Sequence, residues 1–329
     1  MILTIICPSY NEEKYIAQAI KSFLKQQYHS FELEILIIDG RSTDGTRQII
    51  EGFSKKHSNI KMIDNPMRKT PYAFNEGLKA AKGEYVAILG AHSVYAPDYL
   101  QTCYNELIRT NSAGCSGRVI TQSASLTTQA KLCEWLMDNN FGVSSLSFRK
   151  MKEGYTHSVN FPVFKKKILS EIGGYKTDLE RNQDNDLNQR ILHAGYKLYC
   201  TWKTECSYRP PPNLGKLFNY AYRNGYWNLF SFKIHSRSMR IHHIIPFFFT
   251  TGLITILFSG IIEYLSIGTL FLIELFAKIL ITYFTMAIIA TISSILQKKD
   301  LRKLLLPFVF FGFHFSYGWG TIMGLLKKP

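Results

Sequence analysis

The sequence is poor in acidic residues and lacks the short motifs of several common enzyme classes. It contains 24 Asp and Glu residues against 39 Lys and Arg residues, which gives a formal net charge of +15. The six cysteines form no CxxC pair and no Cys/His ligand spacing, which disfavours a zinc site and a disulfide framework. No GxGxxG follows the first apolar run and no GxxxxGKS/T occurs, which disfavours a Rossmann dehydrogenase and a P-loop NTPase.

Charge is also missing from long stretches near the C-terminus. Ile244 to Ile262 contains no charged residue, and a second apolar stretch, Leu265 to Leu296, follows after a very short turn. About 20 apolar residues are needed to cross a bilayer, so the two stretches predict a membrane hairpin; a buried core helix is the alternative for the first. Glu274 and Lys278 interrupt the second stretch at a spacing that allows an ion pair.

A third apolar stretch, Leu304 to Leu326, contains Pro307 and His314 and is expected either to span the membrane or to be re-entrant. These composition changes predict three parts: a domain of soluble type at 1–206, a basic juxtamembrane segment at 207–243 and a membrane region at 244–329. We expect no cleavable signal peptide, because the chain leads directly into a short strand.

The basic residues lie beside the apolar stretches, which predicts an orientation in the membrane. They are Arg209, Lys216, Arg223, Lys233, Arg237 and Arg240 before the first stretch, and Lys298, Lys299, Arg302 and Lys303 after the second. By the positive-inside rule, the N-terminal domain faces the cytoplasm, on a bacterial-type inner membrane. Because the charge has this explanation and no nucleic-acid-binding signature occurs, nucleic acid is not an expected partner.

Short apolar runs alternate with helical periodicity in residues 1–90, which predicts an α/β fold. The runs "ILTIIC", "LEILIID", "IKMIDN" and "YVAILG" are typical of buried parallel strands. The helices between them are expected to begin near Asn11, Ser42 and Pro71, with the third stopped by Gly83. This order predicts a Rossmann-like, mostly parallel sheet flanked by helices.

Three loops at the carboxyl ends of these strands are expected to define one crevice. They are Pro8–Glu12, Asp39–Asp44 and Gly90–Ser93. Ligands of open α/β sheets bind beyond the carboxyl ends of the strands, so the crevice is the predicted ligand site.

Four segments together carry a resemblance to a known family: "CPSYNEE", "IIDGRSTDGT", "NEGLKAAKGEYVAILGAH" and "GGYKTDLERNQDNDLNQRI". They resemble the family 2 glycosyltransferases, and in particular the membrane-bound branch that is similar to succinoglycan and capsule-building sugar transferases. The resemblance implies a GT-A fold and inverting transfer of a sugar from a nucleoside diphosphate sugar, with a UDP-sugar favoured. It also implies Mn²⁺ or Mg²⁺ as cofactor.

The resemblance implies a set of donor-binding residues. Pro8, Tyr10 and Glu12 match the family's nucleoside pocket, and Asp39 matches the carboxylate that reads a uracil-type base edge. We expect Asp39 to be exposed to the crevice, because it ends a strand.

Two further donor-binding matches have structural alternatives. Asp44 matches the nucleotide region but is also placed to cap the following helix. Asn75 matches the sugar-nucleotide region but is equally well explained as a polar residue inside a helix.

The family's metal-binding Asp-x-Asp, expected at 90–92, is replaced by Gly90, Ala91 and His92. His92 takes the second ligand position, so we predict that it donates an imidazole ligand to Mn²⁺ or Mg²⁺ and contacts the donor. The alternative is a histidine satisfied by neighbouring backbone. A single His ligand predicts a weaker site, or one shifted toward manganese.

The segment "ERNQDNDLNQRI" matches the family's Glu-Asp segment. Gln183 replaces the glutamate, whereas Asp184 retains the aspartate and is the predicted catalytic base, which takes the proton of the acceptor hydroxyl. Asp186 and Arg190 are four residues apart and are predicted to pair on one helix.

The acceptor is less well defined by the sequence. "RNGYW" at 223–227 resembles a segment near the membrane, and Arg223 and Trp227 are predicted to contact diphosphate or acceptor; the absence of QxxRW favours transfer of a single sugar. His157, Asn160 and Trp135 are further candidates for facing the acceptor. The membrane stretches predict a polyprenyl-diphosphate-linked acceptor, and the alternative function is a catalytically degenerate nucleotide-binding scaffold in a polysaccharide assembly complex.

Overall fold

The computed structural model describes residues 1–123, 125–144, 150–179, 181–234 and 243–326. Glu180 of the Glu-Asp segment and the predicted interfacial Arg237 and Arg240 lie outside the described residues. The chain divides into two compact units, one formed by 1–120 and 146–209 and the other by 121–145 and 210–329. The division falls near the composition change at 206, but residues 121–145 belong to the C-terminal unit, which the prediction of a continuous 1–206 domain did not anticipate.

The first unit contains a nine-stranded sheet with helices between its strands. In chain order its elements are β1 (Ile2–Ser9), α1 (Ile16–Leu24), β2 (Glu32–Asp39), α2 (Thr46–Ser54), β3 (Ile60–Asp64), α3 (Thr70–Ala80), β4 (Tyr85–Ile88), β5 (Ser93–Tyr95), α4 (Tyr99–Arg109), β6 (Gly114–Thr121), β7 (Gly154–Thr156), β8 (Val163–Lys165), α6 (Lys166–Glu171), α7 (Gln183–His193) and β9 (Leu198–Tyr208); α5 (Thr128–Asp138) belongs to the second unit. The strand order is β3-β2-β1-β4-β8-β6-β9-β5, with β7 on β9.

The first four strands are parallel, as the alternation of strands and helices predicts. β8 then pairs antiparallel with both β4 and β6, so the sheet is mixed beyond β4. Ile5 and Ile6 pack into different apolar clusters, because successive side chains of a strand point to opposite faces of the sheet. A sheet buried on both faces explains why its strands are continuous apolar runs, and the α/β prediction is confirmed.

Three helix boundaries differ from the predicted ones, and one of them is the start of α2, at Thr46 and not near Ser42. α1 begins at Ile16 and not at Asn11, because Asn11 has a left-handed backbone (φ 55°) and bonds across to the next loop, with its backbone N–H on Ser42 Oγ (2.9 Å) and its Oδ1 accepting from Thr43 N (2.9 Å). α3 ends at Ala80, before Gly83. Tertiary hydrogen bonds outweigh the local capping signal at Asn11.

The second unit is helical. After α5 it contains α8 (Leu214–Ile234), α9 (Ile245–Ile267), α10 (Phe271–Gln297), a 3-10 helix (Leu301–Leu305) and α11 (Leu306–Leu326). Among the described residues, α9 and α10 are long and apolar enough to cross a membrane, with mean hydropathies of 2.0 and 2.1. They correspond to the predicted hairpin, and Glu274 and Lys278 form the predicted ion pair (3.7 Å).

The third apolar stretch forms α11, which packs closely on other helices of the same unit. Phe310 is fully buried, and the backbone carbonyl of Tyr222 in α8 lies where a Cβ at Gly320 would be. Glycine at that position therefore permits the close approach of α8 and α11. At the end of α10, the buried Lys303 ammonium donates to the carbonyls of Ser294 and Lys298 (2.8 Å to the latter), which satisfies groups left open by the helix terminus.

Candidate active site

A pocket lies at the carboxyl ends of β1 and β4 and contains Asp184. Its cavity volume is about 70 Å³. Its lining combines the predicted loops with two later segments: Pro8, Phe74, Ile88, Leu89, Gly90, Val159, Asn160, Phe161, Pro162, Phe164, Tyr175, Asp184, Leu187 and Asn188. The structure therefore places the predicted base beside two of the three predicted strand ends.

The carboxyl group of Asp184 lies in mainly apolar surroundings. Burial raises its pKa from 3.8 to about 6, because the charged form loses hydration that the wall of the pocket does not replace. The residue as a whole is half-buried and lines the pocket. A carboxyl group of this pKa is a stronger base than an ordinary aspartate and still mostly ionised at pH 7.

The helix that carries Asp184 is held in place by the next acidic residue. Asp186 is buried and accepts from Arg190 Nε (2.8 Å), and Arg190 also donates to the carbonyls of Ile172 and Gly174 (2.7 Å each). The predicted Asp186–Arg190 pair is confirmed. It ties the first turn of α7 to the loop that precedes it, which fixes where Asp184 stands.

His92 pairs with Glu12. Its Nε2 lies 2.8 Å from Glu12 Oε1, and its ring meets Tyr15 edge-on at 5.0 Å between ring centroids. The partner is thus a carboxylate from the β1 loop and not neighbouring backbone. No group of three or more His, Cys, Asp or Glu side chains able to hold a metal occurs among the described residues.

These two donor atoms fit a divalent cation only in part. A carboxylate oxygen and an imidazole nitrogen can serve as adjacent ligands, and the His92 side chain is half exposed. The rest of the coordination shell would have to come from substrate oxygens and water. The mixed oxygen and nitrogen set suits Mn²⁺ better than Mg²⁺.

An aromatic ring lies beside the position where the family's first aspartate is expected. A Cβ added to Gly90 would lie 3.1 Å from Phe161 Cε1. Phe161 itself has a left-handed backbone (φ 55°), and its carbonyl accepts from Tyr99 Oη (2.8 Å). An aspartate at 90 would therefore require the Phe161 ring to move. The packing around this position fits glycine and not the aspartate of the family motif.

Asp39 is fully buried, which corrects the expectation that it is exposed to the crevice. Its Oδ1 accepts from Ser42 Oγ (2.6 Å), and its Oδ2 accepts from Ser42 N (3.0 Å) and Arg47 Nη1 (2.8 Å). Arg47 Nη1 also bonds Asp64 (2.7 Å) and lowers the pKa of that carboxyl group. Burial of the carboxylate is compatible with its charge because three donors compensate it.

Asp44 and Asn75 both make structural hydrogen bonds, although the N-cap residue of α2 is Gly45 and not Asp44. Asp44 Oδ1 accepts from Thr46 N (3.0 Å) at the start of α2, and Oδ2 accepts from Glu13 N (3.2 Å). Desolvation opposes these bonds, but together they lower the pKa of Asp44. Asn75 bonds both the N–H and the carbonyl of Tyr175 (2.9 and 2.7 Å).

Of the predicted catalytic and donor-binding residues, Pro8 and Asp184 line the pocket, whereas the others, Asp39 and His92 among them, lie outside its lining. Tyr10 is 45% exposed on the loop after β1. Arg223, which is exposed, and Trp227, which is buried against Phe230, both belong to α8 in the second unit. Their predicted contact with diphosphate or acceptor stays a prediction.

Comparison with known proteins decides the family. The family model of glycosyl transferase family 2 matches residues 4–173, more than half of the chain. The chain belongs to glycosyl transferase family 2. The resemblance to this family is thereby confirmed, and the protein is a glycosyltransferase; the match covers the first three segments and ends where the fourth, 173–191, begins.

Three similar proteins extend this comparison. The dolichyl N-acetyl-alpha-D-glucosaminyl phosphate 3-beta-D-2,3-diacetamido-2,3-dideoxy-beta-D-glucuronosyltransferase of Methanococcus voltae is 29% identical over 99% of this chain and 97% of its own. Succinoglycan biosynthesis protein ExoA of Rhizobium meliloti is 25% identical over 74% and 73%. The solved mannosyltransferase PcManGT from Pyrobaculum calidifontis, in complex with GDP-Man and Mn²⁺, has a TM-score of 0.59 at 18% identity and covers 96% of this chain and 87% of its own, which supports the GT-A fold.

Several residues of this glycosyltransferase's pocket had no signal in the sequence. Phe74, Phe161 and Tyr175 read as ordinary core aromatics, and only tertiary packing brings them around Asp184. Asn160 lines the pocket, as suggested for an acceptor-facing residue, whereas Trp135 lies in the second unit. Asn188 carried one usable signal, its position one helical turn after Asp184.

Proposed function

We propose that this glycosyltransferase transfers one sugar, in a single inverting step, from a nucleoside diphosphate sugar to the sugar of a lipid-linked acceptor at a membrane. The observation that supports this most is Asp184, a carboxyl group with a pKa of about 6 that faces the same pocket as Pro8 and Gly90.

Asp184 acts as the general base. One of its carboxylate oxygens takes the proton of the acceptor hydroxyl while that oxygen forms the new bond to the anomeric carbon. The bond from the anomeric carbon to the diphosphate breaks with its electron pair, and the nucleoside diphosphate leaves from the opposite face. The raised pKa strengthens the base without keeping it protonated at pH 7.

The donor base is proposed to be uracil. A carboxylate has about four acceptor positions, and Asp39 uses three of them for Ser42 and Arg47, so one is left. Uracil presents one N–H on the edge that a carboxylate can read, whereas guanine presents more. Because Asp39 is fully buried, contact with a base requires the side chains that cover it to move.

A divalent cation, with Mn²⁺ favoured, is proposed to be held by Glu12 and His92. When bound, it would neutralise charge on the leaving diphosphate. The two side chains present their donor atoms from different loops, and the edge contact of Tyr15 orients the imidazole. Holding both in place before the donor binds lowers the cost of assembling the site.

The acceptor and the location follow from the second unit and from the relatives. The Methanococcus voltae relative is named for a dolichyl-phosphate-linked sugar, and α9 and α10 are apolar enough to span a bilayer. These features support an acceptor sugar on a polyprenyl phosphate or diphosphate. The basic residues beside the helices support a catalytic unit on the cytoplasmic face.

The test uses the full chain purified in detergent with Mn²⁺, a panel of UDP-, GDP- and dTDP-sugars, and N-acetylglucosamine linked to a polyprenyl phosphate. Asp184→Asn is expected to lose transfer by at least a hundredfold while nucleotide affinity stays within a few-fold. Asp178→Asn, on the loop before α7 and outside the pocket, is the matched control and should behave as wild type. Nucleotide binding without transfer or donor hydrolysis in the wild type would instead support the scaffold function.

A further inference from the structure

A second polar side chain faces the pocket from the same helix as Asp184. Asn188 follows Asp184 by four residues on α7, lines the same pocket and is only 1% exposed. Side chains four residues apart in a helix lie on one face, with about 5–6 Å between their Cβ atoms. One sugar ring is wide enough to contact both.

The orientation of the Asn188 amide is determined by chemistry. Its Nδ2 donates to Ser158 Oγ (3.0 Å) and to the carbonyl of Val159 (3.2 Å). A carbonyl can only accept a hydrogen bond, so the nitrogen of the amide must be the atom that faces Val159. The oxygen is thereby directed away from that loop.

Asn188 Oδ1 is buried and has no hydrogen-bond partner in the part of the chain that the structure describes. Buried polar atoms almost always have a partner, so an open acceptor indicates an absent donor. Phe74, Phe161 and Leu187 in the pocket wall carry no donor, and the polar wall residues Asn160, Tyr175 and Asp184 make no hydrogen bond to Oδ1 either. The missing donor belongs to an ordered water or to a molecule that enters the pocket.

We propose that Asn188 is a specificity-determining residue whose Oδ1 accepts a hydrogen bond from a second hydroxyl, or from an acetamido N–H, of the acceptor sugar. This inference rests on the proposed function, because it takes Asp184 as the base for that sugar's attacking hydroxyl. Contact at two points fixes the rotation of the ring and so selects which hydroxyl reaches Asp184. An acceptor that lacks the second group leaves Oδ1 buried and unsatisfied, which penalises it.

The experiment measures kcat/KM for N-acetylglucosamine, its 3-, 4- and 6-deoxy analogues and glucose, with the best donor of the nucleotide-sugar panel. Each sugar is supplied both on a polyprenyl phosphate and as a methyl glycoside. For one of the analogues that still react, the kcat/KM of the wild type should be about 10- to 100-fold lower than for N-acetylglucosamine. The kcat/KM of Asn188→Leu for N-acetylglucosamine should be lower than that of the wild type by a similar factor. For the analogue, the variant and the wild type should have the same kcat/KM.

Controls separate this role from a structural one. Gln189 is the neighbouring residue on α7 and lies outside the pocket lining. Gln189→Leu should leave the ratios of kcat/KM between the sugars unchanged. Asn188→Ala replaces the leucine variant if the latter does not fold, as judged by its thermal unfolding midpoint. A purely structural role for Asn188 predicts losses that add, because the variant would then discriminate among the sugars as strongly as the wild type.

The outcomes also distinguish the inference from the function on which it rests. Transfer to methyl glycosides but not to lipid-linked sugars refutes the lipid acceptor and still tests Asn188. The inference is overturned if the losses in kcat/KM from the variant and from the analogue add. It is also overturned if the wild type has equal kcat/KM for all reacting analogues, or if neither the lipid-linked sugars nor the methyl glycosides accept a sugar. In those cases Oδ1 bonds water only.

Discussion

Replacing Asp184 by asparagine should stabilise the protein at neutral pH while it removes transfer. Burial raises the pKa of this carboxyl group from 3.8 to about 6, so the folded state disfavours its charged form. Asparagine has nearly the same size and no charge. A residue kept for catalysis at a cost in stability is expected to show this trade-off.

The size of the effect follows from the pKa. One pKa unit corresponds to about 1.4 kcal/mol, so the ionised Asp184 costs the folded state about 3 kcal/mol at pH 7. The position of Asp184 in the first turn of α7 favours its charged form by about 0.3–1 kcal/mol. The cost of removing the carboxylate from water is larger, so the pKa is still raised. Because the new amide also needs partners, we expect a gain of about 1–3 kcal/mol, or roughly 3–8 °C in Tm.

The gain should depend on pH with a definite sign. Since the folded pKa is above the unfolded one, the folded state binds more protons between about pH 4 and 6, and the wild type loses stability as the pH rises through this window. The difference between Asp184→Asn and the wild type should therefore be near zero below pH 4 and largest above pH 6.

The assay is thermal unfolding of the wild type, Asp184→Asn and the control Asp178→Asn in detergent, at one scan rate, from pH 4 to 8. A lower Tm for Asp184→Asn at pH 7.5 would refute the reasoning. So would a difference that is the same at pH 4 and pH 7.5, because the carboxyl group would then not be desolvated in the folded protein.

Further predictions concern the rate, the metal and two structural carboxylates. The kcat/KM for transfer should fall about tenfold from pH 7 to pH 5, as Asp184 is protonated with a pKa of about 6; a flat profile would exclude it as the base. His92→Ala should raise the Mn²⁺ concentration for half-maximal transfer by about tenfold, and an unchanged requirement would leave the pair with Glu12 purely structural. Asp44→Ala should lower the free energy of unfolding slightly through loss of its bond to Thr46 N at the start of α2, as measured by denaturation, and an unchanged stability would contradict this. Asp186→Ala should lower it by about 3 kcal/mol because it leaves Arg190 with an uncompensated charge, and a loss below 1 kcal/mol would contradict this.

Much of the catalytic fold was predictable because it depends on local pattern. Apolar runs that are too uniform for a half-exposed strand indicated the four parallel strands, and the Asp186–Arg190 pair followed from helix geometry alone. Asp184 was singled out by its match to the Glu-Asp segment, and its role as the base stays a prediction. The start of α1 was not, because Asn11 bonds residues more than thirty positions away in place of capping its own helix.

The pocket itself needed the tertiary structure. The sequence determined which positions carry a carboxylate or an imidazole and which runs form parallel strands, since these are local properties. It did not determine that Asp39 is buried against Arg47, that Phe161 lies beside Gly90, or that residues 121–145 join the C-terminal helices. Those facts arise from packing between distant segments, and it is packing that removes water from Asp184 and leaves one oxygen of Asn188 without a partner.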